Sequence, residues 1–197
     1  MKTLPESDQP YLIIVRGLPG SGKSYLAAAL ARTIGNERVV MLDPDAIDYD
    51  STEYLQHVQA QLAEAVDPKL HAYRFLRAKA YQAIADRQVI IWNQPFTHLE
   101  IFHKMIGRLR DCAAEQGTEL PILILEVEVD PALAERRVMT RKRAGGHGPT
   151  EATFSRFMRD YRSFAGQGYA TVSVRGDAKV DESVATVLDA ATARASQ

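Results

Sequence analysis

A lysine and a serine close the glycine-rich run Gly17-Leu18-Pro19-Gly20-Ser21-Gly22-Lys23-Ser24, with Tyr25 next in line. Glycines free backbone N–H groups to turn inward as a nest for an anion, and a helix opening directly behind adds the positive end of its dipole. The fixed positions follow G-x-x-x-x-G-K-[ST], the spacing at which backbone cradles a phosphate chain. Lys23 is expected to reach the β- and γ-phosphates, and the Ser24 hydroxyl to hold Mg²⁺. Residues 17–25 are therefore the expected binding segment for ATP.

A second group of reactive side chains lies in "VVMLDPDAIDYDS", which carries Asp43, Asp45, Asp48 and Asp50. Phosphoryl transfer asks for position, charge, and one base to take the acceptor hydroxyl's proton. Asp43, nearest the end of the apolar run, is expected to support Mg²⁺ through water, and Asp45 is the candidate base. Asp48 and Asp50 read as helix-capping or solvated acids. Asn93 and Gln94 place amides at the end of another apolar run, either to position a ligand or to make a turn with Pro95. His57, His71, His98 and His103 lack metal-ligand spacing, and Trp92 reads as core.

The third group is cationic. Asp130 and Pro131 mark a helix start, and five basic residues then fall within 136–143: Arg136, Arg137, Arg141, Lys142 and Arg143. Arg137 and Arg141 are four apart and share a helical face. With few acids nearby, this is either a solvated basic face or a lid whose arginines neutralise the transferring phosphate. Gly145 and Gly146 stop the helix and would serve as the hinge.

These groups need a scaffold. Short apolar runs at 11–16, 38–42, 88–92, 121–129 and 169–174 read as strands, and their continuous apolarity marks a parallel sheet buried on both faces. Helical stripes alternate with them: Leu26, Ala29, Leu30, Thr33 and Ile34; Leu70, Tyr73, Leu76, Ala80 and Ile84; Leu99, Phe102, Ile106, Leu109 and Ala113. A last helix begins near Asp181. The order predicts an α/β, doubly wound domain over 11–197, after an N-terminal tail at 1–10. Insertions at 45–69 and 141–152 should border the crevice beyond the strands' carboxyl ends, where ligands sit in such sheets.

The chain has 197 residues, 46% hydrophobic and 25% charged, with a formal net charge of −1. That balance gives no global argument for nucleic acid or membrane. A single cysteine, Cys112, on an apolar helix face, suits a reducing cytoplasm, as does a first segment without the apolar stretch of a signal peptide. The guanine-reading N-K-x-D and a serine-glycine-glycine signature are both missing, which excludes switch GTPases and transporter ATPases. No Asp-Glu pair ends a strand, so transfer to a bound acceptor is expected rather than hydrolysis.

"GLPGSGKS", "LDPDAID" and "RRVMTRKRAGGHG" together resemble the zeta-toxin and polynucleotide-kinase-like branch of small P-loop kinases, over about residues 12–161. The resemblance implies a three-layer fold with strand order 2-3-1-4-5 and a small helical lid at about 136–152. It also implies transfer of a γ-phosphoryl group from Mg-ATP to a hydroxyl of a small-molecule or nucleotide acceptor. Asp45 takes the place of the base, and Arg137 and Arg141 those of the phosphate-binding lid arginines. His147 belongs to the Gly-Gly-His without an assigned role. An antitoxin-like protein partner is a further implication. The chain departs from the branch at Asp48, where Arg or Lys is usual, at "WNQPF" after the third strand, and in the short gap before Pro149. Two other readings stay open: a kinase of nucleoside or polynucleotide 5′-hydroxyls, and a non-catalytic ATP-binding regulator.

Overall fold

A computed structural model describes residues 9–146 and 148–195. Five strands, β1 (Tyr11–Gly17), β2 (Val39–Leu42), β3 (Val89–Asn93), β4 (Ile122–Glu128) and β5 (Ala170–Arg175), form one parallel sheet in the order β2-β3-β1-β4-β5. The end of every strand lies within one residue of the expected position. Helices α1 (Lys23–Ile34) and α7 (Val180–Ala195) cover one face; α3 (His71–Ala85) and α4 (Leu99–Glu115) cover the other. Alternation along β1 explains the two cores. Ile13 and Val15 join Leu26, Leu30, Val187 and Leu188, while Leu12 and Ile14 join Leu76, Phe102 and Ile106. Cys112 packs half-buried against the second core.

The insertion at 45–69 contains a helix, α2 (Thr52–Ala63), capped by the Ser51 hydroxyl, which accepts from the Tyr54 N–H. Along α3, Leu76, Ala80 and Ile84 are buried as expected, but the amino end packed against α2 differs. Leu70 and Tyr73, expected on the buried stripe, are exposed, and His71 and Phe75 take their place in the interior. Phe75 stacks edge-on against Tyr54 and His57 of α2, at 5.1 and 5.4 Å between ring centroids. After β4 come α5 (Pro131–Arg143) and a separate α6 (Glu151–Asp160), started by the Thr150 side chain. The basic helix stops before Gly145 and Gly146 as expected, and α6 beyond them is an element the sequence pattern did not announce. Among the described residues, no helix is long and apolar enough to cross a membrane.

One polar pair sits inside this apolar frame. Arg16, fully buried on β1, pairs with Glu126 of β4. The guanidinium also donates to the carbonyls of Pro95 (3.3 Å), Phe96 (3.4 Å) and Arg162 (2.7 Å), and lies 3.7 Å from the Phe164 ring centre and 4.4 Å from that of Tyr161. Glu126 in turn accepts from the Phe164 N–H (2.8 Å) and the Ser163 hydroxyl (2.5 Å). Burial pushes the Tyr161 phenol up to about 12.

Removing one partner leaves an uncompensated buried charge. Glu126→Ala should therefore lose about 3–5 kcal/mol in urea unfolding, with Arg16→Ala equally damaging. The raised Tyr161 pKa stabilises the fold fully below pH 10, and that contribution is lost as pH rises toward 12. Melting curves of Tyr161→Phe should fall less steeply than wild type across that window; parallel curves would contradict the assignment.

Candidate functional site

The glycine-rich run leaves β1 and enters α1 at the carboxyl edge of the sheet. Neighbouring backbone approaches it from two sides. At Gly20, with φ of +85°, a Cβ would lie 2.3 Å from the Ala134 carbonyl oxygen of α5; at Gly176, just past β5, a Cβ would lie 1.9 Å from the Ser21 carbonyl oxygen. No other residue type allows those approaches. Arg137 clasps both segments, donating to the Gly20 and Gly176 carbonyls at 3.3 and 3.2 Å. The amino half of α5 is anchored as well, since Ala134 and Val138 bury against Phe154 of α6. The expectation that Arg137 and Arg141 form an unpaired cationic couple therefore needs correction. Backbone carbonyls satisfy Arg137, a partner that a count of nearby carboxylates does not register.

Arg141 is different. It is exposed, makes no side-chain hydrogen bond or ion pair among the described residues, and lies close enough to Lys23 to bear on its charge. Desolvation in the crevice lowers the Lys23 ammonium pKa, although the side chain as a whole is only half-buried. Asp45 and then Asp43 pull it back up, and the like charge of Arg141 lowers it. The predicted phosphate lysine, both predicted carboxylates and one predicted arginine thus share one field. Tyr25, 65% exposed, borders the same helix start.

Asp43 caps the turn Pro44–Ala46, its Oδ1 accepting from the Asp45 N–H at 2.9 Å. Its Oδ2 accepts from Asn93 Nδ2 at 2.5 Å, and the same amide nitrogen donates to Ser24 Oγ at 2.9 Å. Ser24 and Asp43 are therefore joined through Asn93. This pair of hard oxygens fits Mg²⁺, which keeps most of its waters and takes further oxygens from phosphate. Among the described residues no group of three or more His, Cys, Asp or Glu is placed to hold a metal without such help.

The residues expected to stay outside the site do so. Asp48 accepts from the Asp50 N–H at 3.1 Å, as a turn residue does. Trp92 is core, with its indole N–H donating to Gln94 Oε1 at 3.1 Å. His71 faces the Val66 carbonyl, and His103 meets the Tyr169 hydroxyl. His147 lies outside the described residues. The bridging role of Asn93 and the close approach of Gly176 were missed. Both stand directly at the end of an apolar run, the position where polar or bare residues warrant attention.

A family model described as AAA domain (AAA_33) matches residues 12–165. A cytidylate kinase of Pyrobaculum aerophilum is 27% identical over 145 residues, 67% of this chain and 72% of that protein. A solved structure from Chloroflexus aurantiacus superposes with a TM-score of 0.64 at 18% identity, covering 92% of this chain and 98% of the other. A structure of the PezAT chromosomal toxin–antitoxin system of Streptococcus pneumoniae reaches 0.59 at 14% identity, covering 97% and 80%. The shared fold of these structures is the expected one.

Lys23→Ala should weaken ATP binding in calorimetry by about 2–5 kcal/mol while the melting temperature stays near wild type. Gly176→Ala should also lower affinity, by about tenfold or more, because the Ser21 backbone must move. Unchanged affinity in both would remove the phosphate loop from the site.

Proposed function

We propose, from the premise that this chain belongs to the AAA_33 family of small P-loop kinases, that it moves the γ-phosphoryl group of ATP to a hydroxyl of a small-molecule or nucleotide-type acceptor. The observation that carries this reading is that Asn93 joins Ser24 of the loop to Asp43 after β2, where Asp45, Asp43 and Arg141 all act on the Lys23 charge. A hydrolase would instead need a carboxylate to activate water at the end of the strand beside the loop. There β3 ends on Asn93, followed by Gln94.

Lys23 and the loop's N–H groups hold the β- and γ-phosphates, and Ser24 and Asp43 would hold Mg²⁺, which would neutralise phosphate charge. Asp45 accepts the acceptor's proton. The hydroxyl oxygen bonds to the γ-phosphorus as the bond to the β–γ bridging oxygen breaks, and that electron pair leaves with ADP. Arg141, on the exposed carboxyl end of α5, meets the charge on the transferring group as the segment around it closes as a lid. Arg137 serves from below, holding the Gly20 carbonyl of the loop and the neighbouring Gly176 carbonyl away from the anion. The zeta-toxin-like assignment of Asp45 as base belongs to this proposal. An antitoxin-like partner stays an implication of the resemblance alone.

The test is transfer from γ-labelled ATP to a panel of nucleosides, nucleoside monophosphates, nucleotide sugars and free sugars. With the best acceptor, Asp45→Asn should lower kcat by about 10²–10⁴-fold with little change in KM for ATP. If Asp43→Asn has that signature and Asp45→Asn does not, the base is the other carboxylate. For the lid, Mg-ATP should slow hydrogen exchange across 139–150, and less so in Arg141→Ala. Arg141→Lys should restore charge without the bidentate fork and leave kcat depressed. Exchange that ignores nucleotide, with full activity in Arg141→Ala, would make the segment a solvated face.

A further inference from the structure

Asn93 occupies the place where a strand-end carboxylate would face the phosphate loop. It is 3% exposed, and Val15 of β1 is its partner in the sheet register. Its Nδ2 atom makes two side-chain bonds, to Ser24 Oγ and Asp43 Oδ2, bringing together residues 69 and 50 positions away. An amide nitrogen has two hydrogens in one plane, so these bonds use its full donor capacity and set the spacing of the two oxygens. The amide oxygen, Oδ1, is buried and has no partner among the described residues. A carboxylate in this position could donate to neither oxygen and would repel Asp43.

We infer that Asn93 is a positioning residue that presents Ser24 and Asp43 as one unit, with a single formal negative charge, so that the divalent cation arrives with the nucleotide rather than before it. The charge argument has two parts. Asp43 is the only anionic member of the linked trio, and the Lys23 ammonium lies within its field. A divalent cation alone therefore meets one carboxylate within the trio, with the charge of Asp45 beside it offset by Lys23 and Arg141, whereas nucleotide phosphates add the missing anions. Asn93 Oδ1 is the acceptor left for an O–H donor in the loaded site, either a water of the cation or the acceptor's hydroxyl. The inference rests on the phosphate-loop kinase reading for its setting, but it has a separate readout.

The experiment measures Mn²⁺ binding to the full chain by electron paramagnetic resonance, with and without ADP. Wild type should bind Mn²⁺ weakly alone and much more tightly with ADP. Asn93→Asp, of the same shape, should bind Mn²⁺ alone at least about tenfold more tightly than wild type. Asn93→Ala should weaken Mn²⁺ binding with ADP by about tenfold and lower kcat while changing KM for ATP little, a split that a loss of folded protein does not produce. If Asn93→Asp binds Mn²⁺ alone no better than wild type, the inference is overturned. It is equally overturned if folded Asn93→Ala binds Mn²⁺ with ADP as wild type does. Should Asn93→Ala fail to fold, the Asp variant decides. Failure to find any phosphoryl acceptor would count against the kinase reading and leave these binding results standing.

Discussion

The buried pair of Arg16 and Glu126 holds the working edge of the sheet together. Arg16 is the residue immediately before Gly17, so its position sets where the phosphate loop begins. Through its guanidinium it also holds the carbonyls of Pro95 and Phe96, two and three residues past Asn93, and that of Arg162 in the connection between α6 and β5. Glu126 holds Ser163 and Phe164 of the same connection. Desolvating two charges is costly, and a well-packed apolar pair is often no less stable. What the ion pair contributes is geometry. Its bonds radiate to two loops that apolar contacts alone would leave free to slide, and the one just past Asn93 borders the crevice.

Charge inside the crevice is arranged around Lys23. Burial favours a neutral amine, and Asp45 and Asp43 work against that tendency. The arginines divide the remaining work. Arg137 faces the carbonyls of Gly20 and Gly176 and so completes the underside of the loop. Arg141, one turn further along α5, has no such partner among the described residues and remains available to an anion. Two residues with the same charge on the same helical face thus serve different ends, because one lies against backbone and the other beyond it.

Much of this was legible in the sequence. Continuous apolarity marked the strands to within a residue, because a parallel sheet buried on both faces admits little else. The glycine-rich run and the two aspartates after β2 were visible because local spacing carries their chemistry. Long-range polar pairing left no such trace. Arg16 and Glu126 are 110 residues apart, and Asn93 reaches Ser24 and Asp43 across 69 and 50. Only the amino end of the α3 stripe differed: His71, against the Val66 carbonyl, and Phe75, stacked on Tyr54 and His57 of α2, are buried where Leu70 and Tyr73 were expected. Arg137 looked unpaired because backbone carbonyls, unlike carboxylates, have no letter in the sequence.

The central claim is that the phosphoryl group leaves ATP for a hydroxyl and not for water. Phosphorus NMR of Mg-ATP turnover by the purified chain, with a pool of hydroxyl-bearing metabolites present, separates the two directly. The account predicts that the γ-phosphorus appears as a phosphate monoester in step with ADP, and that its appearance requires the pool. Turnover that delivers the γ-phosphorus only as inorganic phosphate, at the same rate with or without the pool, would contradict it.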